Sequence, residues 1–404
     1  MKFQFCIPVL LLSIFSLQAR DERSQIPPII QRSYFEVTVG SINYPFGAAQ
    51  LEPGYDLVGV TIPHTAARLV LWGYDFNEYL AFQITYMRPV SWVKYRYTQG
   101  GVEDQRSVWT NVGGFAFKGK LPLGDRFSVY GEAGLGAITR AGFNDKQGNV
   151  VVKDLKYNAL YLGAGVKYHL SKKWALQVVG NYSPASEKHN QPYTSFVGGG
   201  FAYNFVPYTP EQIQRTADEG MIHPKQWLQI GVTSNIAGYG VNNFVSNKYF
   251  PIFWGGHAHV KQGISLNYQR NVFHSARFFA LDWGINASIW QTTGMHGSTQ
   301  LSGQNFFTFS LFPVFRLNFL QTKAFDAYFY YTVAAPTFIS EKIIDGFDTG
   351  ENFTFMDNMG MGIFFGNDRR YNAELKIGHY SNGNLYPSND AVKVPLSLNI
   401  GYVF

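Results

Sequence analysis

The stretch LSLNIGYVF (396–404) puts Leu396, Leu398, Ile400, Tyr402 and Phe404 on one side, and Ser397, Asn399 and Gly401 on the other. A period of two describes a strand with one apolar face. GGGFAYNF (198–205) repeats the pattern with Phe201, Tyr203 and Phe205. WALQVVGNY (174–182) and RFSVYGEAGLGAI (126–138) alternate in the same way, and ARFFALDWGINASIW (276–290) and FDAYFYYTVAA (325–335) are also strand-like. Turn signals separate such runs: LGDR (123–126), NDKQGN (144–149), SKK (171–173) and GNDRR (366–370).

Composition says what kind of sheet this is. Aromatic residues make up 17% of the chain, charged residues only 15%, and 41 residues are glycine. A soluble domain carries about 25% charged residues. The opening MKFQFCIPVLLLSIFSLQA has the basic start, apolar run and closing small residue of a secretory leader, residues 1–19. Beyond it no continuous apolar run is long enough for a membrane helix. A secreted, aromatic, weakly charged chain of alternating strands predicts an all-β protein of transmembrane antiparallel β-barrels in the Gram-negative outer membrane. The sole cysteine, Cys6, lies in the leader, which excludes disulfides and thiolate metal sites from the mature chain. The net charge is +6, or +5 once Lys2 leaves with the leader, and it is scattered. That distribution argues against a nucleic-acid surface.

The two apolar-faced strands ending in Phe205 and Phe404 divide the chain. The C-terminal one resembles the closing strand that outer-membrane barrels use as an insertion signal, and the internal one looks like its counterpart. The expected organisation is an N-terminal barrel over 33–205, a linker over 206–226 and a C-terminal barrel over 227–404. Each half has length for eight strands of about ten residues. Two tandem eight-stranded barrels are favoured over one 16-stranded barrel, because each closed barrel removes its own edges.

Chemistry enters in AELKIGHYSNGNLYPSND (373–390). Ala373, Leu375 and Ile377 form an apolar face that ends in His379 and Ser381. The preceding stretch NFTFMDNMGMGIFF (352–365) has Phe353, Phe355, Asp357, Met359, Met361, Ile363 and Phe365 on one face. Asn367–Asp368–Arg369 makes a three-residue hairpin connection. Pairing Phe365 with Tyr371 keeps both apolar faces together and sets Asp357 opposite His379. Cross-strand Cβ atoms lie about 5 Å apart. A carboxylate, an imidazole and a hydroxyl would then converge on the lipid face, the grammar of an activated serine. Polar residues where a strand leaves the membrane are the bland alternative; an aspartate inside an apolar face argues for function, since charge facing lipid is costly. His257 and His259 share a strand face but lack a third ligand beside them, so an interface strand is preferred to a metal site.

Residues 225–404 resemble the lipid A 3-O-deacylase family of eight-stranded outer-membrane esterases. The likeness rests on FTFMDNMGMGIFFG (353–366), and on HYSN (379–382) followed by PSND (387–390). It implies a serine esterase acting on lipid A, with His379 as general base, Ser381 as nucleophile, and Asn389 with the backbone N–H of Asn384 as oxyanion donors. The family has glycine at the last position. Its third catalytic member, a glutamate near the start of the last strand, falls here at Lys393 or Val394. Asp357 takes that role by register, with Asp390 as second choice. HYSNG also resembles the motif of outer-membrane phospholipase A, a calcium-dependent acyl hydrolase; an inactive structural or binding barrel is the non-enzymatic alternative. The resemblance implies no cofactor. Expected partners are lipopolysaccharide and outer-membrane lipid, with a homodimer left open.

Overall fold

The computed structural model describes residues 22–219, 221–246 and 255–404. The leader, residues 1–19, lies outside the described residues.

Two closed eight-stranded antiparallel barrels follow one another. The first contains β1 (Ser33–Asn43), β2 (Thr65–Asp75), β3 (Leu80–Pro89), β4 (Val102–Leu123), β5 (Phe127–Ala141), β6 (Leu155–His169), β7 (Trp174–Ser183) and β8 (Thr194–Asn204). Neighbours pair in order, and β8 closes on β1, with Phe201 opposite Val37. The first part of β4 rises beyond the barrel and pairs with Val93–Gln99, which in turn pairs with Asp56–Thr61.

The second barrel contains β9 (Gln226–Ser234), β10 (Ala258–His274), β11 (Phe279–Thr292), β12 (Asn305–Gln321), β13 (Phe325–Ile339), β14 (Phe353–Phe365), β15 (Tyr371–Ser381) and β16 (Val392–Val403). It closes through β9 and β16, with Ile230 opposite Ile400. The segment between the barrels holds helix α1 (Pro210–Asp218), capped by Thr209, whose hydroxyl accepts from the Gln212 amide. Among the described residues no helix is long and apolar enough to cross a membrane.

The alternation seen in sequence separates the two faces. Outward residues such as Phe115, Leu135, Val197, Ile230, Ile264 and Met361 are exposed on the isolated chain, an apolar band that suits hydrocarbon. Inward residues are polar and fill the interiors. In the first barrel Glu36 sits 2.8 Å from Lys118 Nζ and 2.6 Å from Lys167 Nζ, and Arg68 Nη2 donates to Glu132 at 2.8 Å. In the second, Arg316 pairs with Asp282 at 2.9 Å, and the Tyr328 hydroxyl donates to Glu374 at 2.7 Å. Buried charges of this kind persist only when paired.

Strand connections set the ends of each barrel. In the second barrel the turns after β10, β12 and β14 are short, whereas the loops after β9, β11, β13 and β15 are long. The long loops share one end with His379 and Ser381. The turn between β14 and β15 is fixed by Arg369, whose guanidinium donates to Asp326 at 2.7 and 3.0 Å. A bidentate, buried pair at a tight turn pins the register of both strands.

Candidate active site

β14 and β15 pair with Phe365 opposite Tyr371, Asp357 opposite His379, and Phe355 opposite Ser381. This is the register expected from sequence. A slip of one residue would turn His379 and Ser381 into the lumen.

Asp357 is held by two strands. One carboxylate oxygen accepts from the Ala334 amide at 2.5 Å, and the other lies 3.6 Å from His379 Nε2. The second distance is that of an ion pair, longer than a hydrogen bond. The Ala334 amide is available because β13 bulges between Thr332 and Ala335, with Ala334 at a φ of 51°. Pro336, inside β13, was the sequence signal for that irregularity.

The outward face is not bare at this point. His379 is only 2% exposed. Helix α2 (Gly240–Val245), in the loop between β9 and β10, lies against the outside of the barrel. Its Val245 packs on the Met359–Ile377 cluster, and Asn242 donates to the Val394 carbonyl at 2.9 Å. The expectation of a lipid-exposed histidine is therefore corrected: the imidazole is buried within protein, and the six-residue α2 beside it is too short to read as a helix from its pattern.

Ser381 lies at the rim. Its hydroxyl is 3.2 Å from both amide atoms of Asn389 and accepts from the Gly383 amide at 3.3 Å. The Asn389 amide has a defined orientation. The Asn382 backbone N–H can only donate, and it meets Asn389 Oδ1 at 2.8 Å. Asn389 Nδ2 is thus the amide donor beside Ser381, and it also donates to Asn384 Oδ1 at 2.7 Å. Gly383 and Asn384 have φ of 62° and 60°, the left-handed region. Asparagine is among the few non-glycine residues that settle there, which accounts for Asn384 where glycine was expected. Asn382, not singled out from sequence, is fully buried and anchors the loop by donating to Thr349 O at 2.9 Å and Ser388 O at 2.6 Å.

The structure does not bring every candidate together. The Asp390 carboxylate meets His257 Nδ1 at 2.8 Å and accepts from the Asp348 amide, so it serves the loops and not His379. His259 stacks on Tyr239. Among the described residues no three His, Cys, Asp or Glu side chains gather as a metal site would require.

Comparison with known proteins adds the family. Residues 7–205 match the outer membrane protein beta-barrel domain, and residues 262–402 match Lipid A 3-O-deacylase (PagL). The second match runs from within β10 almost to the end of β16 of the second barrel. Among solved structures, the outer membrane enzyme PagL is 15% identical with a TM-score of 0.30, covering 44% of this chain and 99% of its own. The N-terminal β-barrel domain of Pseudomonas aeruginosa OprF is 16% identical with a TM-score of 0.28, covering 43% of this chain and 98% of its own. Neisserial surface protein A is 12% identical with a TM-score of 0.27, covering 43% and 97%. A search of curated proteins finds no match.

Within the matched region, the position expected from sequence for the family's glutamate has a clear place. Lys393 pairs across the ladder with His379 from the side opposite Asp357. Its ammonium donates to Asn243 Oδ1 of α2 at 2.8 Å. His379 thus has an aspartate strand on one flank and a lysine strand on the other.

Proposed function

We propose that this chain is an outer-membrane serine esterase that removes an ester-linked acyl chain from lipid A. The observation that carries the reading is the placement of Asp357 against His379 Nε2, two residues along β15 from Ser381, on the outward face at the long-loop end. Ester bonds of lipid A lie just beneath the head group, the depth that such a rim site would meet.

The proposed roles are these. Asp357 faces Nε2, which assigns proton acceptance to Nδ1. Ser381 Oγ loses its proton to His379 as it attacks the acyl carbonyl. The oxyanion that forms is stabilised by Asn389 Nδ2 and the backbone N–H of Asn384; donors aimed at developing charge commonly supply the largest catalytic effect. Collapse breaks the ester bond, and the departing lipid A hydroxyl takes the proton from His379. Water then gives its proton to His379 and attacks the acyl-serine, releasing fatty acid and restoring Ser381. Asp357 orients the ring and stabilises the imidazolium in both halves.

The test is covalent capture. A fluorophosphonate ester should label Ser381, as read by peptide mass spectrometry, and labelling should fall sharply in His379→Ala. Equal labelling of both proteins, or labelling elsewhere, would remove the proposed nucleophile.

A further inference from the structure

A polar row on the outside of the first barrel does not fit a lipid-facing surface. On β4, Asn111 shares the outward face with Phe115 and Phe117. Those two rings are 54% and 55% exposed, whereas Asn111 is 3% exposed. Asn111 pairs with Thr139 of β5, and Thr139 pairs with Lys156 of β6. The three residues form one transverse row near the long-loop end of the barrel, and Thr139 is also buried. An asparagine and a threonine facing hydrocarbon would be costly without partners.

The cover comes from the second barrel's active-site loop. Asn111 Nδ2 donates to the Asn384 carbonyl at 2.8 Å, and Lys156 Nζ stands 4.1 Å over the Tyr386 ring. From there a chain of contacts runs to the nucleophile. Asn384 Oδ1 accepts from Asn389 Nδ2, and Asn389 touches Ser381 Oγ. Asn384 holds a left-handed backbone without being glycine. Such a conformation persists where its surroundings fix it, and the first barrel supplies one of the fixing bonds.

We propose that the first barrel is a docked partner in cis that holds the oxyanion loop of the second, with Asn111 as a positioning residue for deacylation. The inference rests on the oxyanion roles assigned above to Asn384 and Asn389. The interaction surface is the row Asn111–Thr139–Lys156, and its occupant is the 383–389 loop of the same chain. The polar row is protected from lipid by that loop.

The experiment uses the full chain in lipid nanodiscs. Asn111→Ala should raise deuterium uptake in the peptide spanning 383–389 and leave uptake in β16 unchanged. It should lower kcat by about tenfold, the scale of one lost positioning hydrogen bond, with KM little altered. Asn111→Gln, which keeps the donor, should recover part of the rate. Independently of folding effects at Asn111, Lys156→Cys combined with Tyr386→Cys should give a crosslinked peptide with a short bis-maleimide. Unchanged exchange in Asn111→Ala, or no crosslink, would overturn the docking. Raised exchange with wild-type kcat would overturn the positioning role. A chain that shows no Ser381-dependent acyl release would overturn the esterase reading and the kinetic half of this proposal, while exchange and crosslinking would still decide the docking.

Discussion

Asp357→Asn is the substitution on which the catalytic geometry depends most. In the proposed mechanism His379 becomes charged during each half-reaction, and Asp357 Oδ2 lies 3.6 Å from its Nε2. At an effective dielectric of about 20, unit charges at that separation attract by about 4–5 kcal/mol. Partial solvation of the rim lowers the useful part to about 3–4 kcal/mol, roughly two to three decades in rate. A second effect adds to this. The Ala334 N–H can only donate, so the new amide keeps its oxygen there and turns its NH2 toward Nε2. That holds the ring with its proton on Nδ1, where it cannot accept from Ser381. The combined loss in kcat is expected at about 10³–10⁴, with unchanged substrate affinity and folding. The assay is a time course of acyl release from lipid A in vesicles by purified protein, with folding checked by heat-modifiable gel mobility. A rate within threefold of wild type would refute the assignment of Asp357 as the orienting acid.

Lys393→Glu should restore at least tenfold of the rate lost in Asp357→Asn, because it places a carboxylate on the other flank of His379; no recovery in the double variant would show that this flank cannot supply the acid. Asn389→Ala should lower kcat by about 10²–10³ with little change in KM, the signature of a lost oxyanion donor. Glu36→Ala strands Lys118, Lys167 and Arg68 in the first barrel's interior, and urea unfolding should report a loss of about 3–5 kcal/mol without a fall in kcat. Chelation with EDTA should leave acyl release unchanged, which would separate the proposed esterase from a calcium-dependent phospholipase; restoration of a chelated activity by calcium would reverse that conclusion.

The barrels and the Asp357–His379 pairing were legible in the sequence for local reasons. Strands of period two with one apolar face admit few registers, and the short turn around Asn367–Arg369 leaves one that keeps Phe365 and Tyr371 on the same side. What escaped was set by long-range contacts. Helix α2 is six residues long and has no pattern that announces it. Asp390 adjoins the 383–389 loop in sequence, yet its carboxylate is taken by His257, more than a hundred residues away. The Ala334 amide depends on a bulge that only Pro336 hinted at. Asn111 stood in plain view on an otherwise apolar outward face, but its partner, Asn384, lies in the other barrel.

The central claim is that this chain cuts an acyl ester of lipid A through Ser381. The most direct measurement is lipid A mass spectrometry on Gram-negative cells expressing the intact chain, beside cells expressing Ser381→Ala at the same level in the outer membrane. Lipid A lighter by one acyl chain is expected with the intact chain, and unchanged lipid A with the variant. Identical spectra from both, with both barrels folded, would contradict it.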